Sequence, residues 1–350
     1  MHFGLFVEEL RQGASQAGAF RDIFEAAGRA EAWGIDCVWL GEIHFTPSRS
    51  IISASLAVAS AIAARTRRVR VGTAVQVLPL QHPLRIAEEV ATVDHISEGR
   101  FEFGVGRSGV VRTYDTYGVA YAESQARFRE ALDIVRQAWT GEPFSYSGQF
   151  YRVEHAAVAP RPYQTPHPPI RMAATSDETF PAAGRLGLPI FIGLRSTEIA
   201  DLQAQLGPYR DAWREAGHPG EPSVYLRIPV YVSPTAAGAV EEPRESLAAF
   251  FARQTELARL AVGRAGAGPA DRRQQQAERM ASLTYEDMLE RKVAFGTPAR
   301  VVDRLRALQE QLGLDGVVME PNPGGRIAPE LEVRSLRLLT HEVMPAFRAR

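Results

Sequence analysis

Apolar positions along the chain follow two alternating rhythms, short runs that are unbroken or repeat every second residue and longer stretches with helical spacing. The first kind predicts strands and the second helices. Residues 2–7 alternate as a first strand, 18–33 carry a helical stripe, and Asp36-Cys37-Val38-Trp39-Leu40 is a short apolar run. A helix of small residues over 50–65 leads to a third strand, Val69 to Val77. His82-Pro83 opens a helix reaching Ser97, because proline suits a first helical turn. A strand over Gly99 to Arg107 follows, then a helix over 123–140, a hairpin over 142–153 turning at Ser147-Gly148, and a proline-rich connection over 160–169. Further strands are expected at 170–174, 189–192, 224–232 and 316–320. Eight strands trailed by helices predict an α/β fold, the (β/α)8 TIM barrel, as one domain over 1–350. An open doubly wound sheet is the alternative. The rhythm fails from 261 to 285, where Gly263, Gly266, Gly268 and Pro269 interrupt a stretch rich in Ala, Arg and Gln. That stretch predicts a long loop insertion after strand seven, on the catalytic face of a barrel, and a mobile lid.

Composition narrows the partners. The 350 residues are 45% hydrophobic and 23% charged, enough apolar material for a large core. A net charge of -1 supplies no field for gripping nucleic acid or anionic lipid, so neither is expected as a partner. Nearly all basic residues are arginine, with Lys292 the single lysine. Cys37 is the only cysteine, which excludes an intrachain disulfide and a thiolate metal cluster. No apolar run approaches the roughly 18 to 20 residues of a membrane span, and the first residues form a strand instead of a signal segment. A cytoplasmic protein acting on small molecules is expected.

In a barrel, chemistry belongs just past the strand C-termini. Strand two ends in Gly41-Glu42-Ile43-His44-Phe45, which puts a carboxylate and an imidazole two residues apart at the rim. Strand three ends in Thr73-Ala74-Val75-Gln76, small residues against which a flat ring could lie or which simply pack. Strand four ends in Gly104-Val105-Gly106-Arg107. Its glycines allow close approach to the backbone and Arg107 offers a forked cation suited to phosphate; a solvated arginine closing a core strand is the other reading. Ala174, Thr175, Ser176 and Glu178 follow strand five at a helix start, where hydroxyls and backbone N–H groups suit an anion or form an ordinary cap. No metal-binding spacing, serine-nucleophile elbow, phosphate loop or dinucleotide fingerprint is present.

Taken together, Val38-Trp39-Leu40-Gly41-Glu42-Ile43-His44-Phe45, Gly72 to Pro79, His82-Pro83, Ala87-Glu88-Glu89, Gly99-Arg100-Phe101, Gly296-Thr297-Pro298 and Val343-Met344-Pro345 resemble the bacterial luciferase-like flavin monooxygenases over nearly the whole chain. The resemblance implies an FMN site on the C-terminal face. Arg107 would hold the phosphate, assisted by Thr175 and Ser176, with Gly106, Ala174 and Glu178 as further cofactor-binding candidates. Ala74-Val75 would form a cis peptide beneath the flavin ring, and His44, with Glu42, would be catalytic. The implied reaction takes reduced FMN from a separate flavin reductase and O2, and oxygenates a small carbonyl compound through a flavin C4a-hydroperoxide. A histidine's ordinary titration near neutrality suits proton transfer there. A homodimer is implied as well. Gly106 stands where the luciferase α subunit has a reactive cysteine, Ile43 replaces the first of two histidines, and Ala174 replaces a glutamate; these departures argue against light emission. Two alternatives on the same barrel are an F420-dependent dehydrogenase or reductase and a non-catalytic flavin-binding subunit.

Overall fold

The computed structural model describes residues 1–8, 11–266 and 270–348. Its barrel strands are His2–Val7 (β1), Cys37–Leu40 (β2), Arg70–Thr73 (β3), Phe101–Gly106 (β4), Ile170–Ala173 (β5), Ile190–Gly193 (β6), Val224–Val232 (β7) and Gly316–Glu320 (β8). They pair in parallel in chain order, and β8 returns to β1, so the sheet closes as an eight-stranded (β/α)8 barrel. The strands read as unbroken apolar runs because they are buried on both faces. One face meets the helices: Val38, Leu40, Val71, Phe101 and Phe103 join the main core. The other fills the barrel with Phe6, Cys37, Trp39, Phe191, Tyr225 and Val318.

Trp39 dictates the residues beside it. Its register partners are Phe6 on β1 and Gly72 on β3. A Cβ on Gly72 would stand 2.4 Å from the indole, and one on Gly4 would stand 2.3 Å from its nitrogen. Only glycine leaves the indole room between the flanking strands. Cys37, in the same layer, is fully buried, and burial pushes its thiol well above the usual range, so it is an inert filler.

Three elements differ from the sequence reading. The third strand is not continuous to Val77: it stops at Thr73, and Gln76–Val77 forms a separate short strand on β4 beyond a cis Ala74-Val75 peptide. A helix not foreseen, Val111–Tyr117, follows Arg107 and ends at Gly118 in the left-handed region. The stretch 261–285, expected to be irregular, is largely helical, with a helix over Ala270–Ala281; its residues 267–269 lie outside the described residues. Alanine, arginine and glutamine are strong helix formers, and the glycine cluster only precedes the helix. β7 is followed by further helices, Ala236–Glu241 and Arg244–Leu260, and by a strand, Ala294–Gly296, that pairs with Val230 to Val232. The expected hairpin is Phe144–Ser147 with Arg152–Ala156. Among the described residues no helix is long and apolar enough to cross a membrane.

Candidate active site

The C-terminal strand ends surround one cavity of about 330 Å³, a size typical of small-molecule sites. Glu42, Ala74, Val75, Gly106, Arg107, Ala174 and Thr175, all expected from sequence, line it together. His44, Ser176 and Glu178 stand outside the lining. Val77, Phe191 and Val318 add apolar wall.

His44 sits behind Glu42. Its Nε2 is 2.8 Å from Glu42 Oε1, while Glu42 Oε2 accepts a 3.2 Å bond from the Val77 N–H. Its Nδ1 is 3.2 Å from the Tyr117 hydroxyl. Burial, and then the Glu42 charge, raise the Tyr117 phenol, which therefore stays protonated and donates to Nδ1. The proton on the neutral imidazole then belongs on Nε2, donated to Glu42. Both histidine and glutamate are buried, and the glutamate reaches the cavity, so Glu42, His44 and Tyr117 form a chain from the cavity to the surface, where Tyr117 is 45% exposed. Tyr117 escaped the sequence reading. Gly118, a residue able to cap a helix C-terminus, was its one local signal.

Arg107 leaves β4 partly buried and donates a 3.1 Å bond to the Ser124 hydroxyl. Tyr114 donates its hydroxyl to the Arg107 carbonyl, which fixes the turn that carries the guanidinium. Thr175 and Thr179 line the same cavity. Ser176 bonds to the Thr179 hydroxyl at 2.7 Å, and Glu178 is exposed at the start of the short helix Thr179–Arg185. Arg107 is thus the cation on this side of the cavity, with Thr175 and Thr179 in the same lining.

A flavin fits these residues. Between the poles lie the Ala74-Val75 peptide and Gly106, where an added Cβ would meet Val75 Cγ2 at 2.6 Å. Glycine at 106 keeps this floor low and flat against the backbone, as a planar ring requires. Arg107 with its hydroxyl neighbours suits a phosphate tail.

A cluster of buried charges also went unforeseen. Glu8 follows β1, Arg227 lies in β7, Glu320 ends β8, and Arg49 follows β2. Glu8 accepts from Arg49 Nε at 2.7 Å and from Arg227 at 3.3 Å, and Arg227 also donates to Glu320. Arg227 stacks 3.6 Å above the Phe6 ring. Gly41 makes room for the pair, since a Cβ there would stand 2.7 Å from Glu8 Oε2. Burial alone would raise the Glu8 carboxyl, but Arg49, Arg227 and Arg195 together hold it down to about 2. The signal in the sequence was a charge directly abutting an apolar run, as in Val7-Glu8 and Met319-Glu320. Nearby, the sole lysine, Lys292, is buried and ties down the loop after β6 by bonding Glu198 at 2.6 Å and the Thr197 carbonyl at 3.0 Å.

The chain is 34% identical to the uncharacterised protein y4vJ of Sinorhizobium fredii over 55% of each chain, so it spans about half the length of that relative. It is 26% identical to the oxygenase component of flavin-dependent trigonelline monooxygenase from Acinetobacter baylyi, over 99% of this chain and 96% of that one. An F420-dependent glucose-6-phosphate dehydrogenase of Amycolatopsis mediterranei is 34% identical over 51% of this chain and 54% of its own. The crystal structure of the monooxygenase RslO1 from Streptomyces bottropensis superposes with a TM-score of 0.82 at 25% identity, covering 99% and 100% of the two chains. The luciferase-like monooxygenase family matches residues 1–316, and with the closed barrel and its rim residues this makes the chain a member of that family.

Proposed function

We propose that the chain is the oxygenase component of a two-component flavin monooxygenase, acting on a small carbonyl compound. The observation that carries the reading is that Arg107, the Ala74-Val75 and Gly106 floor, and Glu42 meet in one cavity, with His44 bonded to Glu42 from behind. Reduced FMN, delivered by a separate reductase, supplies the activation of O2. The remaining work belongs to the chain. Arg107, with Thr175 and the groups around Ala174, Ser176 and Glu178, anchors the phosphate; Ala74, Val75 and Gly106 support the ring. Glu42 and Tyr117 each engage one ring nitrogen of His44, so the imidazole is held in one orientation and exchanges a proton with the cavity through Glu42.

Water exclusion falls to the segment after β7. Gln276 and Met280 from the helix Ala270–Ala281 line the cavity, and Arg264 pairs with Asp115 at 2.5 Å on the helix that carries Tyr117. We read 261–285 as a lid within one barrel domain over 1–350. The buried face of the helix Ser55–Arg65 packs on the barrel, and its small residues suit a homodimer contact. A cytoplasmic setting suits the exchange of reduced flavin with a reductase.

The test supplies reduced FMN and ¹⁸O₂ to the protein with a panel of aldehydes and ketones and follows label in the products by mass spectrometry. His44→Ala is expected to retain FMN affinity and lose about 10²-fold in product formation. Unchanged turnover would remove His44 from the chemistry. Reduced F420 binding in place of reduced FMN would move the chain to the F420-dependent alternative.

A further inference from the structure

Most charged side chains near the cavity are paired; one, half-buried, is not. Arg195 lies two residues beyond β6 and lines the cavity. Among the described residues it has no hydrogen-bond or ion-pair partner, although Glu8 and Glu320 are close enough to act on it electrostatically. Those carboxylates are already engaged by Arg49 and Arg227. Desolvation, and then the neighbouring Arg227, lower the Arg195 guanidinium to about 10, as expected for a cation lacking its own counter-ion. A second donor is also unused. The carboxamide nitrogen of Gln254, on the helix Arg244–Leu260, is buried without an acceptor, and Gln254 lines the same cavity.

A buried donor without an acceptor is costly unless a ligand supplies one. Arg195 follows β6, two strands round the barrel from β4 and Arg107, and the carboxylates that act on it lie at the ends of β1 and β8. Apolar Phe191 and Val318 line the cavity as well. A planar carboxylate matches the guanidinium fork of Arg195.

We propose that Arg195, with Gln254, forms a carboxylate subsite, and that the compound oxygenated here is a small monocarboxylate anchored by that group while a separate carbon reacts. Its role as substrate rests on the oxygenase reading above; the binding itself does not. Isothermal titration at constant ionic strength compares benzoate, nicotinate, phenylacetate and hexanoate, each with its primary amide. At least one acid is expected to bind about 10-fold or more tightly than its amide, the scale of one charge-assisted hydrogen-bonding site. Arg195→Gln should abolish that preference and Arg195→Lys retain part of it, with FMN affinity, read by flavin fluorescence, unchanged in both. Gln254→Ala should weaken the acid and spare the amide. Equal binding of every acid and amide, no acid binding at all, or a preference that survives Arg195→Gln would overturn the subsite. So would a parallel loss of FMN affinity, which would assign Arg195 to the cofactor phosphate. Acid preference without any oxygenated product would retain the subsite and sink the oxygenase reading.

Discussion

The two sides of the cavity use arginine in opposite ways. On the β4 and β5 side, Arg107 is partly exposed, donates to a single serine hydroxyl, lies 5.9 Å from the Tyr121 ring centre and shares its cavity with Thr175 and Thr179. Across the ring, Arg49 and Arg227 are locked to Glu8 and Glu320, with little exposure on any of the four. A cation awaiting a ligand keeps neutral, adjustable neighbours, whereas a cation that shapes a wall is neutralised by fixed carboxylates. Arg195 stands between these cases, set among fixed charges but without an ion-pair partner among the described residues.

The strongest test of that contrast is Arg227→Met. It leaves Glu320 and half of Glu8 buried without their cation, and should cost about 3–5 kcal/mol in urea unfolding. A loss below about 1 kcal/mol would make the cluster no more than a surface ion pair. Acid probes the same wall. The Glu8 carboxyl is held at about 2 against an ordinary 4.5. A depressed folded-state value stabilises above the unfolded value, so the contribution is complete above pH 4.5 and disappears as pH falls towards 2. About 3 kcal/mol is at stake over that interval, and Glu8→Gln should flatten the acid limb of a thermal-melt series. The smallest effect on stability belongs to the other wall. Arg107→Gln should leave unfolding within about 0.5 kcal/mol of wild type while FMN affinity in a fluorescence titration falls about 10- to 100-fold. A large stability loss in that variant would erase the distinction between the walls.

The same contrast explains what could be read from sequence. Barrel strands such as Cys37–Leu40 were legible because burial on both faces leaves an unbroken apolar run. Glu42 and His44 were legible because two residues of spacing at a strand end place both at the rim. Tyr117 was not, since its bond to His44 spans 73 residues and starts from a seven-residue helix. The ion cluster was hidden for the same reason: Glu8 meets Arg227 across 219 positions, and local spacing carries no trace of that meeting. In the stretch 261–285, glycines dominated the reading, while the alanine, arginine and glutamine residues beyond them had the propensity that decided the outcome. The break after Thr73 could not come from periodicity, because an alternating pattern passes through Ala74-Val75 without interruption; only the family resemblance pointed to it.

Lys292 gives the molecule an unusual chemical simplicity. Its ammonium is 3% exposed in the side chain and held by Glu198, and no other lysine exists in the 350 residues. An amine-reactive dye therefore finds a single lysine among these 350 residues, and finds it covered. Dye that does arrive at Lys292 marks the moments when the loop after β6 lets go, so the lone lysine serves as a built-in clock for the segment that carries Arg195.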